Sequence, residues 1–338
     1  MDGRVDFVII WVDGNDPEWL KEKEFWEHER NKAGRDPFAD WNRGDVRYRD
    51  WNTLKYFFRG VERFAPWAGD IWFVTWGHVP SWLNTDHDKL HIVNHRDYIP
   101  EEYLPTFNSH TIELNLHRIK GLSEQFVYFN DDMFLLSPTL KTDFFKGELP
   151  CDSAVLNPVP MTRKVRHAEI NNVGIINDHF DKNTVVRKNF FKWMNPLYGK
   201  YLLRNVLLAP WHRFVGFYEQ HLPTSFLKTT FEEVWAAEEK ELDGTCRCRF
   251  REEWNVNQWL MKNWQLAKGC FSPRPLSVGK MFVYGENGNY DQVLREIRSG
   301  KNKMMCINDG DTDDFELRKQ QLLDAFETVL PDRSGYEL

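Results

Sequence analysis

The chain contains 338 residues, with 51 acidic and 44 basic side chains and a net charge of −7 at pH 7. This acidic balance disfavours a general surface for nucleic acid or anionic membrane, although a local basic pocket is compatible with it. The length exceeds the size at which single cores usually stop growing, so we expect one large domain with a subdomain, or two domains. No signal-peptide h-region and no apolar run of membrane-spanning length occur, which predicts a cytoplasmic protein with at most peripheral membrane association.

The first predicted strand, residues 5–12, is almost uniformly apolar and ends in a polar turn. A strand without alternation is typical of a parallel sheet that is buried on both faces. Pro17 follows the turn and predicts the start of a helix. In open α/β sheets, ligands bind beyond the carboxyl ends of the strands. The turn residues are therefore candidates for substrate binding: Asp13, Gly14, Asn15 and Asp16.

Residues 21–50 are densely charged and poor in aliphatic side chains, which predicts an exposed excursion. Arg47, Arg49 and Asp50 lie at its end, where the guanidinium groups could bind phosphate or pair with acidic neighbours. Apolar residues at helical spacing then predict a helix over residues 51–64. Strands are predicted at residues 70–75 and 90–93, so strands and helices alternate as in an α/β fold.

A helix predicted over residues 110–120 carries Glu113 and His117, which are four residues apart and therefore share a face. The strand that follows, residues 126–130, ends in Asp131 and Asp132. Adjacent carboxylates beyond a buried strand favour a divalent cation that also binds diphosphate oxygens, although an Asp-rich turn is the plain alternative.

The strand predicted at residues 303–307 ends in the same way, in Asn308 and Asp309. Three strands would thus deliver carboxylates to one edge of the sheet. We predict Mg²⁺ or Mn²⁺ as the cofactor, with these ligands: Asp131, Asp132, Asn308 and Asp309.

Strand-helix alternation weakens after residue 150, and residues 185–208 form an aromatic, basic stretch that predicts a helical subdomain. Its basic face could bind an anionic acceptor chain or could be an ordinary solvated helix face. A helix is predicted at residues 254–266, with Arg249 and Arg251 just before it, where they would favour a diphosphate. The last helix is predicted to begin after Asp313 or Asp314 as its cap.

The predicted fold class is α/β, with a mostly parallel Rossmann-like or GT-A-like sheet, flanking helices and an inserted helical subdomain. We divide the chain into a nucleotide-sugar-binding α/β part (residues 1–150), a mainly helical acceptor- or phosphate-binding part (151–270) and a C-terminal strand and helix that complete the core (271–338). The five cysteines lack a C-x-x-C pair, which predicts free thiols.

Several short motifs together resemble one family. They are Trp11–Asp16, Arg47–Asp50, Phe64–Trp67, Pro80–Leu83, His117–Ile119, Asn130–Asp132, His221–Pro223 and Cys306–Asp309. In this order they match the four conserved regions of the Stealth proteins and cover residues 5 to about 330. The family comprises bacterial capsule and exopolysaccharide hexose-1-phosphate transferases and the animal N-acetylglucosamine-1-phosphotransferase. The chain is most similar to the bacterial branch, because it lacks the long insertions of the animal protein.

The resemblance implies transfer of a sugar-1-phosphate from a UDP-sugar donor to a hydroxyl of an oligosaccharide or polysaccharide acceptor, with release of UMP. It also implies site residues. The catalytic candidates are Glu113, His117, Asp132 and His221, and the further substrate-binding candidates are Asn108, Arg118, Arg249, Arg251 and Asn257. Any of Glu113, His117 and His221 could act as the base that takes the acceptor proton. Cys248 stands where bacterial relatives commonly have a histidine, which leaves the role of that position open.

Two other functions remain open from the sequence. A metal-dependent glycosyltransferase of similar fold would use the same paired carboxylates but would release UDP. A non-catalytic carbohydrate-binding protein would need no cluster of carboxylates at the strand ends. The sequence specifies neither the sugars nor the oligomeric state, so a homo-oligomer is compatible with it, whereas no nucleic-acid partner is expected.

Overall fold

The computed structural model describes residues 3–32, 50–160, 167–310, 312 and 314–338. Arg47, Arg49 and Asp313 lie outside the described residues. The predictions made for these three positions are therefore not addressed by the structure.

A five-stranded sheet lies at the centre of the described chain. The described residues form eleven strands in three sheets. In chain order they are β1 (Val5–Ile10), β2 (Ile71–Thr75), β3 (Leu90–Asn94), β4 (Gln125–Asn130), β5 (Met133–Leu135), β6 (Phe145–Lys146), β7 (Leu149–Asp152), β8 (Thr224–Leu227), β9 (Ser272–Pro273), β10 (Gly279–Tyr284) and β11 (Met304–Asp309). The central sheet has the order β3-β2-β1-β4-β8. Strands β1 to β4 are parallel and β8 is antiparallel to β4. The predicted mostly parallel α/β fold is confirmed.

Helices cover both faces of this sheet. They are α1 (Pro17–Lys32), α2 (Leu54–Phe64), α3 (Ser109–Leu114), α4 (His167–His179), α5 (Lys182–Lys188), α6 (Phe190–Trp193), α7 (Leu202–Leu207), α8 (Lys228–Ala237), α9 (Glu239–Cys246), α10 (Trp259–Lys268), α11 (Tyr290–Ser299) and α12 (Phe315–Val329). Asp314 caps α12, since its side chain accepts a hydrogen bond from the backbone of Leu317.

Two apolar cores lie on opposite faces of the sheet, because successive side chains of a strand point in opposite directions. Phe7 and Phe129 belong to one core, together with α2, α12 and β11. Val8 and Tyr128 belong to the other, together with α8 and α10. Helix α2 contacts the first core through aromatic packing, with the Tyr56 ring stacked 4.8 Å from that of Phe326. Burial of β1 on both faces explains the uniformly apolar pattern of its sequence.

The C-terminal strand does not join the central sheet. Instead, β11 pairs with β10 and β5 in a second, three-stranded sheet. Strand β5 begins directly after Asp132, so this second sheet brings β11 beside the paired carboxylates. Both sheets contribute to one core, although the division into three parts stays a prediction.

Two of the predicted helices differ clearly from the observed ones. The helix predicted at 110–120 ends at Leu114 and continues only as a short 3-10 turn at Leu116–Arg118. Helix α10 begins at Trp259 and not at residue 254. The stretch at 185–208 contains several short helices, including α6, α7 and the 3-10 segment Pro196–Tyr201.

All five cysteines are free, as predicted. Among the described residues, no helix combines the length and the apolar character that crossing a bilayer requires.

Candidate active site

The turn between β4 and β5 carries the paired carboxylates to the carboxyl edge of the central sheet. Asn130, the last residue of β4, pairs in register with Ile10 at the end of β1. The backbone N–H of Ile307 donates to the carbonyl of Asp132 at 2.9 Å and so anchors the turn to β11. This contact explains why the third carboxylate-rich strand end lies near the first two although it belongs to another sheet.

His221 reaches the same edge from the segment that precedes β8. Because β8 runs antiparallel to β4 and pairs Thr224 with Tyr128, the chain before it returns to the carboxyl ends of the parallel strands. The His221 Nε2 atom lies 4.0 Å from Oδ2 of Asp132 and 3.3 Å from Nδ2 of Asn130. Its ring meets Trp259 edge-on at 5.8 Å. The structure therefore brings together the two predicted catalytic residues Asp132 and His221.

The backbone of His221 has φ = 48°, which lies in the left-handed region that side chains other than glycine rarely adopt. Such a conformation costs free energy and persists where surrounding contacts hold it. Here it directs the imidazole towards Asn130 and Asp132.

A buried carboxyl, Glu113, connects to this edge through Tyr128. The Tyr128 hydroxyl lies 3.1 Å from Oε1 of Glu113 and also forms a short hydrogen bond to Oδ1 of Asn130. Burial and the Glu113 carboxylate raise the pKa of Tyr128, so the hydroxyl keeps its proton. Burial raises the pKa of Glu113 to about 7, although Arg251 and Tyr128 oppose the shift. Glu113, Tyr128, Asn130 and His221 thus form one connected polar chain.

This chain favours one tautomer of the His221 imidazole. The Tyr128 hydroxyl donates to Oδ1 of Asn130, which turns the Asn130 amide nitrogen towards His221. An amide nitrogen is a donor only, so it requires a lone pair on Nε2 of His221. A neutral imidazole of this tautomer can accept a proton at Nε2 when a substrate hydroxyl replaces the Asn130 amide as its donor.

Arg251 lies beside Glu113 and not at the start of α10. Its guanidinium donates to Oγ of Ser109 at 2.5 Å, at the first turn of α3, and its charge acts on the Glu113 carboxyl. Arg249 stacks over the Trp26 ring at 3.9 Å. The prediction that both arginines stand at the N-terminus of α10 is wrong, because α10 begins only at Trp259.

Among the residues that the structure describes, one group of side chains could hold a metal ion. Single ligand atoms of Asp132, His221 and Cys306 lie within 4.8 Å of one another. Burial and the charges of Asp132 and Asp131 raise the pKa of Cys306, so its sulfur is a neutral thiol and a poor ligand. The sequence prediction missed Cys306 as a neighbour of Asp132. Its position directly before the Ile-Asn-Asp strand end was the available signal.

Further oxygen donors belong to the neighbouring residues of the same two strand ends. Asp131 is exposed at its surface, and desolvation by the surrounding protein with the charges of Asp132 and Asp50 raises the pKa of its carboxyl to about 7. Accumulated negative charge of this kind favours binding of a cation. Asn308 accepts a bond from the Cys306 thiol at 3.5 Å, and Asp309 is the last residue of β11. Carboxylate and amide oxygens suit a hard divalent cation better than the thiol does.

The turn after β1 is built largely by its own side chains. Asp16 caps α1, since its Oδ1 accepts from the backbones of Glu18 and Trp19, both at 2.9 Å. Asp13 accepts from the backbone of Asn15 at 2.9 Å, and Gly14 lies in the same turn.

His78, which the sequence prediction did not include, accepts from the Asp13 backbone at 2.7 Å. Burial lowers its pKa, which keeps the ring neutral and able to accept. Its position just beyond β2, at the same edge of the sheet, was the signal that could have identified it.

Four predicted site residues are not brought to this cluster. His117 packs against the rings of Phe231 and Trp235, where burial lowers its pKa to about 3, and Arg118 lies over Trp235 at 4.9 Å. The break of the predicted helix at residue 115 separates His117 from the environment of Glu113.

Asn108 and Asn257 use their side chains inside the fold. Asn108 caps α3 through its Oδ1 and donates through Nδ2 to Asn255. The Oδ1 atom of Asn257 accepts from Asn172 at 2.7 Å. These bonds hold the segment around residues 248–257 against α3 and α4.

Models of the Stealth protein conserved regions 1 and 2 match residues 3–30 and 47–151, which contain most of the residues described above. Capsular polysaccharide phosphotransferase WcwK of Streptococcus pneumoniae is 41% identical over 336 residues, which cover 99% of this chain and 98% of that protein. Exopolysaccharide phosphotransferase cps2G of Lactiplantibacillus plantarum is 38% identical, with 98% and 96% covered. Receptor polysaccharide phosphotransferase WefC of Streptococcus gordonii is also 38% identical, with 99% of both chains covered.

Among solved structures, the bifunctional glycosyltransferase WbbM in its apo form matches 97% of this chain, with a TM-score of 0.38 and 11% identity. The chain spans about half of that structure, since 50% of it is covered. The fold and the edge cluster define an α/β protein with a candidate site of carboxylate and imidazole groups at the carboxyl ends of its strands. The chain belongs to the Stealth protein family.

Proposed function

We propose that this protein transfers a sugar-1-phosphate from a UDP-sugar to a hydroxyl of a capsular polysaccharide or exopolysaccharide. The relatives that match over nearly their whole length are polysaccharide phosphotransferases, and on that ground this chain is an enzyme of the same class. In the proposed reaction, the acceptor oxygen attacks the phosphorus that carries the sugar. The bond from this phosphorus to the bridging oxygen breaks, and UMP leaves.

The contact between His221 and Asn130 carries the proposal. A sugar hydroxyl is a weak nucleophile, so its proton must be taken as the new bond forms. His221 presents its Nε2 atom at the carboxyl edge of the sheet, 4.0 Å from Asp132. We assign the acceptor proton to this atom. Glu113 does not face the same space, and it acts on His221 through Tyr128 and Asn130.

Glu113 is therefore a positioning residue in this scheme. With a pKa of about 7, it is partly protonated near neutral pH and can then donate to the Tyr128 oxygen. Tyr128 in turn donates to Asn130, which fixes the amide that faces His221. Loss of these hydrogen bonds would let the His221 imidazole adopt the other tautomer.

We propose Mg²⁺ or Mn²⁺ as the cofactor, held by Asp132 with oxygen atoms of Asp131, Asn308 or Asp309. The raised pKa of Asp131 and the neutral thiol of Cys306 are both consistent with a site for a hard cation among oxygen donors. When bound, such an ion neutralises charge on the donor diphosphate.

The remaining substrate contacts are also proposals. Arg251, which lies beside Ser109, and Arg249 would supply charge to phosphate, and Asp13, Asn15 and Asp50 would border the donor site.

The leaving nucleotide tests the proposal. Purified protein would be incubated with Mg²⁺, a panel of UDP-hexoses and short capsule-like acceptors, and the released nucleotide identified by chromatography. UMP together with a phosphodiester-linked product is expected. Release of UDP would instead make the protein a glycosyltransferase, and binding of glycans without turnover of any donor would make it a carbohydrate-binding protein. The matched control is Asp132→Asn, which removes one carboxylate charge with almost no change of shape.

A further inference from the structure

The segment between Asp181 and Glu219 differs from the rest of the chain in charge. Over residues 182–218 it contains no acidic residue, although the whole chain has a net charge of −7. Its basic residues are Lys182, Arg187, Lys188, Lys192, Lys200, Arg204 and Arg213. Four of them, Arg187, Lys188, Lys200 and Arg213, are exposed. This segment is therefore positively charged in a protein whose overall charge is negative.

The same segment exposes large apolar side chains. Among the described residues, seven of the thirteen strongly exposed large hydrophobic side chains lie here: Phe190, Phe191, Leu197, Leu203, Val206, Leu207 and Trp211. Phe191 is 84% exposed, Leu207 62% and Trp211 54%. Soluble proteins rarely concentrate apolar residues on one surface unless that surface binds something. We call the exposed side chains of residues 187–213 the amphipathic surface.

Hydrogen bonds on the inner side hold these short helices in place. Asn205 donates to the carbonyls of Trp193 and Ala154, which ties α7 to the end of α6 and to the core. Lys182 donates to the carbonyls of Leu208 and Ala209, which ties the start of α5 to the end of α7. Helix α7 is thus held in a fixed orientation. Asn205 faces inward, while Leu203, Val206 and Leu207 face outward.

We propose that the amphipathic surface docks on an anionic lipid bilayer. Aromatic and aliphatic side chains flanked by lysine and arginine are the pattern of interfacial membrane binding, in which apolar groups enter the headgroup region and basic groups meet anionic lipids. A second copy of the chain fits less well, because a two-fold symmetric contact would bring the four exposed basic residues of this surface towards the same four of the other copy. An anionic glycan would match the charge but would leave Phe191, Leu207 and Trp211 unexplained.

The surface lies close to the candidate active site. A cavity of about 650 Å³ is lined on one side by Leu197 and Lys200 and on another by Glu219 and Gln220, which directly precede His221. Docking would hold the catalytic edge near acceptors at the bilayer. The proposal itself rests on charge and exposure and does not depend on the reaction catalysed.

Vesicle flotation of the full-length protein tests this inference. Vesicles of phosphatidylcholine alone would be compared with equimolar phosphatidylglycerol and phosphatidylcholine. We expect the protein to float with the anionic vesicles, to float less with the neutral ones, and to lose binding as salt is added. Combined Phe191→Ser, Leu207→Ser and Trp211→Ser should lower the bound fraction at least about tenfold, and combined Arg187→Glu, Lys188→Glu and Lys200→Glu should do the same.

The matched control is Leu140→Ser combined with Lys120→Glu, which alters an exposed apolar and an exposed basic residue elsewhere and should leave flotation unchanged. Thermal unfolding of each variant checks the fold.

Absence of flotation, or equal flotation of the apolar variant and the wild type, would overturn the proposal. Without vesicle binding, charge-dependent retention on an anionic polysaccharide would assign the surface to a glycan, and a changed sedimentation coefficient of the apolar variant would assign it to a second copy. UMP release with short soluble acceptors should persist in both surface variants, so failure here is distinguishable from failure of the proposed reaction.

Discussion

The hydroxyl of Tyr128 lies 3.1 Å from Oε1 of Glu113. A buried carboxyl is thus in contact with the end of strand β4, just before the paired aspartates. Strand β4 therefore connects a buried carboxyl in one core with the candidate site at the edge of the sheet. Tyr128 points into the core that contains α3, and the residues after Asn130 form the exposed turn. A proton on Glu113 can consequently influence a site that Glu113 does not itself border.

Glu113 should make stability depend on pH. Its pKa is raised from 4.5 to about 7 in the folded protein by burial. Between these values the folded state holds a proton that the unfolded state releases, so stability falls as pH rises through this window. We expect Glu113→Gln to remove this dependence, which amounts to about 3 kcal/mol between pH 4.5 and 7.5 as an order of magnitude.

Urea unfolding of wild type and Glu113→Gln at a series of pH values measures the effect. Only the difference between the two curves counts, because other carboxyl groups also titrate. A difference that is constant across the window would show that Glu113 has an ordinary pKa in the fold.

Tyr128→Phe should uncouple Glu113 from Asn130 without changing the apolar core. The variant leaves one Glu113 oxygen without its hydroxyl partner, which should cost about 1–3 kcal/mol of stability. When Glu113 is ionised, the Tyr128 hydroxyl can turn its proton from Asn130 to this carboxylate and stabilise its charge, so loss of the hydroxyl should raise the Glu113 pKa further. We expect kcat to fall while KM for the donor stays nearly constant.

The pH profile of kcat is the informative measurement for Tyr128→Phe. A merely structural role would lower stability and leave the profile unchanged. Phe231→Leu offers a comparison, since Phe231 lies in the same core and its ring packs against those of Phe126 and Phe226.

The central sheet could be predicted because its signal is local. The apolar run of β1 and the polar turn after it follow directly from burial on both faces and from strand ends that meet at one edge. The Asp131–Asp132 turn was predictable for the same reason. The contact of this turn with His221 could not be predicted from the sequence. It depends on the antiparallel pairing of β8 with β4, and Asn130 and His221 are 91 residues apart in the chain.

The failures of prediction also have physical causes. The predicted start of α10 at residue 254 ignored tertiary bonds that hold the backbone before it: Glu252 donates to Asn255, and Val256 to Thr245. These bonds place Arg251 beside α3. Net charge by itself says little about this chain, because an average over 338 residues conceals a segment without acidic residues.

Asp132→Asn should abolish turnover and also the binding of the divalent ion. A ligand that binds only the folded state raises the unfolding temperature by mass action, so Mn²⁺ should stabilise the wild type increasingly with concentration. The variant should show little of this effect, since Asp132 is the carboxylate nearest to His221 and Cys306. Scanning calorimetry with and without Mn²⁺ measures it.

Glu337→Gln is not a suitable control for Asp132→Asn, because Glu337 is paired with Arg59. The exposed Asp88→Asn serves better. An equal rise of the unfolding temperature in wild type and Asp132→Asn would remove Asp132 from the metal site.

His221→Asn separates the chemical role of this residue from its backbone role. Asparagine tolerates the left-handed conformation found at φ = 48°, so the variant should fold with nearly wild-type stability. It lacks a group that can take the acceptor proton, and kcat should fall by about 10²–10⁴-fold. His221→Val is the matched comparison, since a β-branched side chain is strained in this region and should lower stability as well as activity. Urea unfolding and UMP release together distinguish the two variants. If His221→Asn retained most of its turnover, the base would have to be another group, and Glu113 would be the next candidate through its connection to Tyr128.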